Sequence, residues 1–400
     1  MSFDVTLGPR VRKSPFFEST VAAGVRQFTI YNHMYLPIGY GDPEAEYRRL
    51  MTGVAMWDVA AQRQVEIHGP DAADLVRYLT PRRLDQMVPG RGKYVPLCDH
   101  NGRLINDPVL LPLAADRYWL SIADSDMLLW VRAVAAERAY NVIVSEPDVS
   151  PLAVQGPLAG TVLERLCGAG VHDLKYFWFQ ETEIEGIPVV VARSGWSKQG
   201  GFEIYLRDSA YGDALWNLVA EAGAPVGIGP GAPNFIERIE SGLLSYGSDN
   251  LPDSDPFEVG LGKLIDLDRA DPFIGKEALR RRAAEGPRRK LVGVVFDGAP
   301  VKPNQHPWPA WVSGQAVGAV RVVCHSPRRG NIGLALLASG HATVGTEITF
   351  EGEGGIYHGT VVGLPLVAPG TPLDVGGEAR VMAPFMAAEE GIVGGERAAL

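Results

Sequence analysis

The stretch ARSGWSKQGGFEIYL (192–206) gathers residue types that could do chemistry. It reads as strand, glycine-rich loop, strand. In GFEIYL, side chains alternate across the strand, so Phe202, Ile204 and Leu206 can enter one face while Glu203 and Tyr205 share the other. A carboxylate accepts two hydrogen bonds, and a tyrosine adds an apolar wall with a polar tip. Together they suit a planar ring with adjacent N–H donors. Trp196 could stack on a ligand or hold a cation against its face, and Lys198 could meet an anionic group. The same residue types also fit a plainer arrangement. Glu203 and Tyr205 would then stand on a solvent-facing strand, Trp196 would pack on a neighbouring lobe, and Lys198 would be solvated.

Other elements must position this hairpin. Residues 42–56 predict a helix, with Asp42 as cap, Pro43 in the first turn, and Tyr47, Leu50, Met51, Val54 and Ala55 on one apolar face. VEIHGPDAADLVRYL (65–79) and LAVQGPLAGTVLERL (152–166) share a form: alternating strand, Gly-Pro, amphipathic helix. Two such units suggest two similar α+β lobes. Between them, His100-Asn101-Gly102 predicts a hairpin turn, and Pro108 restricts its strand to an edge or a bulge. Residues 117–124 predict a strand and 124–140 a helix. From about Lys290 short strands separated by turn signals argue for a small β-sandwich or barrel. The expected division is 1–285, a region of two interleaved lobes; 286–386, the β-rich domain; and 387–400, a disordered tail.

Composition narrows the function. A formal net charge of −10 disfavours a nucleic-acid binder. Three scattered cysteines make neither a disulfide framework nor a zinc cluster, and eight histidines show no ligand spacing, so no metal is expected. VGIGPGAP (226–233) lacks the spacing of a nucleotide loop and reads as a turn feeding the next helix. No apolar run has signal-peptide or membrane-span length, so the expected location is the cytoplasm, away from membranes.

Several segments in order, among them WDVAAQRQVEIHGPDA (57–72), YVPLCDHNGRLINDPV (94–109), the hairpin, and ERIESGLLSYGSD (237–249), resemble the folate-dependent aminomethyltransferases of the glycine-cleavage T-protein family. The likeness covers about residues 12–365. It implies two interleaved α+β lobes and a C-terminal β-barrel around a central cavity that takes folate. It also implies roles. Asp107 falls where an acidic residue stands near the reactive end of folate and is the candidate catalytic group. Glu203 falls on the pterin-reading carboxylate, and Tyr205 and Tyr94 would line the same pocket. Where the T-protein pattern is TGYTGEDGFEI, this chain has SGWSKQGGFEI, similar to the branch that demethylates dimethylsulfoniopropionate (DMSP). The iron–sulfur assembly branch carries a cysteine near here that this loop lacks.

That likeness implies transfer of a methyl group from a sulfonium donor to N5 of tetrahydrofolate. Aromatic faces at Tyr31, Tyr94, Trp178 and Trp196 would hold the sulfonium, and Lys198 the substrate carboxylate. The expected partners are folate and a small methyl donor, with a homodimer as an option. Alternatives are another S- or N-methyl donor, aminomethyl transfer from a lipoyl carrier, and a folate-binding regulatory protein without catalysis.

Overall fold

The computed structural model describes residues 7–368, together with 371 and 373. The expected tail 387–400 and the end of the β-rich region lie outside the described residues. Two sheets form the first part of the chain. One has five antiparallel strands in the order Ile143–Ser145, Gln64–His68, Arg117–Ser121, Val109–Ala114, Lys93–Tyr94. The other has six, in the order Phe179–Ile184, Ile187–Ala192, Gly201–Leu206, Ser150–Gln155, Ala55–Asp58, Gly229–Gly231. The chain enters the six-stranded sheet at Ala55–Asp58, leaves to build the five-stranded one, and returns at Ser150–Gln155. The two lobes are therefore interleaved.

Strand alternation sets the layers. In Arg117–Ser121, Tyr118 and Leu120 pack beneath the helices Ala72–Leu79 and Met127–Glu137, whereas Trp119 points the other way. In Gly201–Leu206, Phe202, Ile204 and Leu206 pack with the helices Ala159–Cys167 and Gly212–Gly223. Tyr205 instead joins Trp119, Leu111 and Val190 between the sheets. Helices thus cover the two outer faces, and the inner faces meet. All six residues of Gly201–Leu206 are buried, so the solvent-facing arrangement of Glu203 and Tyr205 does not occur.

The internal repeat holds. Gln64–His68 leads to Ala72–Leu79, and Ser150–Gln155 to Ala159–Cys167. The glycine of each Gly-Pro pair sits where no side chain fits. Gly69 has φ +140° and a Cβ there would lie 2.7 Å from the Asn141 carbonyl oxygen. Gly156 has φ +119°, and its Cβ would lie 2.6 Å from the Gly53 oxygen.

Two local expectations are corrected. The helix read over 42–56 spans Pro43–Thr52, capped by Asp42 accepting from the Ala45 amide at 3.0 Å, but ends before residue 56. Val54 is buried beyond it and Ala55 begins a strand, because the backbone turns at Gly53. Pro108 is neither an edge residue nor a bulge. It interrupts the chain between Leu104–Asn106 and Val109–Ala114, where its missing N–H costs no ladder bond, and its carbonyl accepts from the Val95 amide at 2.9 Å. The turn before it forms as read, with Asp99 accepting from the amides of Asn101 and Arg103. VGIGPGAP supplies the three-residue strand Gly229–Gly231, then Asn234 caps the helix Phe235–Ser241.

Residues Arg289–Val362 contribute a closed six-strand barrel: Arg289–Phe296, Gly330–Ala338, Gln315–Ser326, Trp308–Val312, Glu347–Gly352 and Gly355–Val362. Its outer residues Val322, Cys324, Ile332 and Leu334 pack against Tyr47, Met51, Ile236 and Ile239.

Gly156→Ala combines a φ strain with a backbone collision. It is expected to cost about 2–4 kcal/mol and to lower the thermal unfolding midpoint by several degrees. Gly186→Ala, at φ +79° with no atom near its Cβ position, should cost only about 1 kcal/mol by the same measurement.

Candidate active site

The two-sheet core, the helix Phe235–Ser241 and the barrel enclose a cavity of about 1790 Å³. Glu203 reaches it from the centre of the six-stranded sheet. Its carboxylate is 5 % exposed and takes hydrogen bonds at Oε2 from Ser194 Oγ (2.5 Å) and Tyr205 Oη (3.3 Å). Oε1 remains for a ligand N–H. Burial raises the Glu203 carboxyl above the usual range, and these two bonds oppose the rise.

The loop 193–200 is broader than a tight hairpin turn, and a side chain fills it. Gln155, fully buried on the adjacent strand, donates to the carbonyl of Ser194 at 3.1 Å and accepts from Ser197 Oγ at 2.8 Å. A Cβ on Gly195 or Gly201 would lie 2.0 Å or 2.5 Å from Gln155, so both glycines are needed. This loop presents Trp196 and Lys198 to the cavity.

Asp107 stands on the wall that the five-stranded sheet provides. Tyr94 Oη donates to its Oδ2 at 2.6 Å. Burial pushes its carboxyl up to about 7, the Tyr94 bond opposes this, and Asp249 adds to it. Tyr31 lines the same region at the end of a short hairpin, Gln27–Tyr31 with Met34–Gly39. Its phenol is pushed up by burial first and then by Asp107 and Asp124.

The cavity therefore receives Tyr31, Tyr94, Asp107, Trp196, Lys198 and Glu203. It does not receive Tyr205 or Trp178. Tyr205 is fully buried behind Glu203, its ring 6.2 Å from that of Trp119. Trp178 is turned aside because Phe177 adopts φ +63°, which breaks the strand alternation. Tyr176 and Phe177 line the wall in its place.

Other lining groups are assigned no role by the sequence reading. Arg238 is 2 % exposed and grips Asp249 with Nη1 at 3.1 and 2.8 Å. Its guanidinium lies 5.0 Å from the Phe235 ring centroid and 5.9 Å from that of Trp196. Trp196 thus already carries a cation. Tyr246 faces the region of Asp107 and Asp124, which raise its phenol after burial does. ERIESGLLSYGSD contains Arg238, Tyr246 and Asp249, but no local pattern says which of its residues turn inward.

This architecture and site define a family of one-carbon transfer enzymes. The model of the GCVT N-terminal domain matches residues 16–269, and that of the glycine cleavage T-protein C-terminal barrel domain matches residues 289–367. The chain belongs to this folate-dependent aminomethyltransferase family. Among its relatives, the dimethylsulfoniopropionate demethylase DmdA of Ruegeria pomeroyi is 44 % identical over 88 % of this chain and 96 % of its own. An aminomethyltransferase of Symbiobacterium thermophilum is 30 % identical over 89 % of this chain and 97 % of its own. The crystal structure of aminomethyltransferase T from Bartonella henselae shares the fold, with a TM-score of 0.79 at 23 % identity, over 90 % of this chain and 99 % of that one. No helix among the described residues is long and apolar enough to cross a membrane.

Asp107 carries a linkage consequence. Its carboxyl titrates near 7 in the folded chain against an ordinary 3.8, so between these values the folded chain holds a proton that the unfolded chain has released. Stability from this group is full below 3.8 and is lost as pH rises through about 7. Asp107→Asn should therefore raise the melting temperature at about pH 8, with the gain shrinking towards about pH 5, by calorimetry.

Proposed function

We propose that this chain is a tetrahydrofolate-dependent demethylase that moves a methyl group from a sulfonium donor, DMSP, to N5 of tetrahydrofolate. The products are 5-methyltetrahydrofolate and methylmercaptopropionate. The observation that carries this reading is one cavity walled by two carboxylates from facing sheets. Glu203 has an oxygen left for a ring N–H, and Asp107 stands among tyrosines. The SGWSKQGGFEI loop and the demethylase relative support the choice of donor.

The chemistry asks little acid–base work of the protein. As the methyl carbon bonds to nitrogen, the carbon–sulfur bond breaks and its electron pair stays on sulfur as a neutral thioether. No acid is needed for the leaving group. The proton that nitrogen must lose goes to Asp107 in this reading; if water takes it instead, the pH and Asp107→Asn effects predicted below do not appear. Alignment and exclusion of water do the rest, and positioning of this kind can lower a barrier by about 7–11 kcal/mol. Tyr31, Tyr94 and Tyr246 offer faces for the sulfonium, which an aromatic ring holds by about 0.5–2 kcal/mol. Trp196 is a weaker candidate because Arg238 stands over it. Lys198 would pair with the donor's carboxylate.

Anaerobic incubation with tetrahydrofolate and DMSP, followed by chromatography, should yield both products in equal amounts. Failure to form either, with folate still bound, would move the donor to another onium or N-methyl compound. Asp107 must be ionised to accept a proton, so kcat/KM should rise with pH through about 7. Asp107→Asn should remove that inflection and lower kcat by about 10²-fold or more. Glu203→Gln should weaken folate binding by about 10–100-fold by calorimetric titration, with kcat at saturation little changed. Lys198→Ala should raise KM for the zwitterion, and an unchanged KM would remove that role.

A further inference from the structure

Two buried asparagines sit next in sequence to two cavity residues: Asn32 follows Tyr31, and Asn106 precedes Asp107. They are 2 % and 0 % exposed. Both grip the same short segment. Asn32 Nδ2 donates to the carbonyls of Ala61 (3.0 Å), Ala123 (3.2 Å) and Ile122 (3.4 Å), and its Oδ1 accepts from the Ser125 amide at 3.1 Å. Its own amide donates to Asp124 Oδ1 at 2.7 Å. Asn106 Nδ2 donates to the Ala123 carbonyl at 3.0 Å and Ser125 Oγ at 2.8 Å. Its Oδ1 accepts from the amides of Ala123 and Asp107, both at 3.0 Å.

We propose that Asn32 and Asn106 are paired positioning residues that set where Tyr31 and Asp107 stand relative to one another, through the one segment, 122–125, that both hold. Neither side chain is needed merely to turn the chain. Asn32 and His33 form the two-residue turn of a hairpin, with φ +49° and +60°. Glycine would satisfy that backbone equally well. What glycine could not supply is the link from the hairpin to the carbonyls beside the cavity. Asn106 likewise spends both ends of its amide on segment 122–125 and on Asp107 itself, rather than on its own strand. The amide is suited to this because it offers donors and an acceptor at once, without a charge to desolvate.

The inference rests on Asp107 and Tyr31 standing at the reaction centre, but its test does not require turnover. The carboxyl of Asp107 is followed by ¹³C NMR titration of the full-length protein, assigned with Asp107→Asn. The groups around it are Tyr94, Tyr31, Tyr246 and Asp249, with Asp124 beside Tyr31 and Tyr246, and none of them is altered in the variants. Asn106→Ala and Asn32→Gly are expected to let water reach the carboxyl and to lower its midpoint from about 7 by about one unit or more. They should also lower kcat about tenfold, with folate affinity within about threefold. Val131→Ala, which empties core space behind the same sheet, should lower the melting temperature and leave the midpoint in place. Asparagine variants that behave like Val131→Ala, with the wild-type midpoint and kcat, would overturn the proposal. If Asn106→Ala does not fold, Ser125→Ala removes one partner of Asn106 Nδ2 and is read in the same way. If the wild type forms no product from DMSP, the proposed reaction fails, while the titration still decides the positioning role.

Discussion

Three buried charges on one short helix hold the site together. On Phe235–Ser241, Glu237, Arg238 and Glu240 are almost wholly inside the protein. A buried ionisable group needs hydrogen bonds or an ion partner, and breaking a buried ion pair costs about 3–5 kcal/mol. Each of the three bonds a different part of the chain; Arg238 and Glu240 have ion partners, and Glu237 is bonded at Oε1 alone. Glu237 accepts from the Lys198 amide at 2.9 Å and from Gln199 at 3.1 Å, which anchors the loop that carries Trp196. Arg238 binds Asp249 and so fixes the loop that carries Tyr246. Glu240 accepts from Tyr47 Oη at 2.8 Å and pairs with Arg328 and Ser326 of the barrel. The helix must stand where it does for these bonds to form, and the cavity is what that position leaves.

The facing sheets impose the second constraint. Each strand spends alternate side chains on its helix layer and on the inner layer. Apolar residues such as Trp119, Leu111 and Val190 fill most of that inner layer. Glu203 and Asp107 project where it opens towards the barrel. Their carboxyls are pushed up by the same cause, loss of water, and hydroxyl groups oppose it, Ser194 and Tyr205 at Glu203 and Tyr94 at Asp107. The Asp107 carboxyl, pushed up to about 7, can take up a proton near neutral pH at little cost. A fully solvated one, with its ordinary low value, could not. Burying these carboxyls lowers the stability of the folded chain, a cost that active sites commonly carry.

The proposed sulfonium donor fits this arrangement. Its positive charge disappears as the methyl group leaves, so holding the cation chiefly by ion pairing would stabilise the reactants more than the transition state; in the proposed reaction Asp107 serves the proton on N5 instead. Phenol faces hold the cation more weakly. Tyr31, Tyr94 and Tyr246 surround Asp107, and each has its phenol raised by burial and by that carboxylate, so all three stay neutral.

Much of this was readable in the sequence. The two Gly-Pro repeats, the Asp42 cap and the alternation in GFEIYL are local patterns with a local physical cause. They yielded the lobes, the helix capped by Asp42 and the two faces of the central strand. The family likeness then led to Glu203 and Asp107. Local pattern failed where distant segments decide the outcome. Phe177 takes the wall from Trp178 because a left-handed backbone, held by hydrogen bonds to Gly92 and Arg193, reverses the order of side chains. Tyr205 shares a face with Glu203, but the opposite sheet covers one and spares the other. Asn32 and Asn106 lie 74 positions apart and meet only on segment 122–125. The sequence by itself determined periodicity, caps and turns, because these depend on neighbours a few residues away. Only the tertiary structure decided which polar groups are buried together, because pairing and loss of water depend on what the rest of the chain brings to the same place.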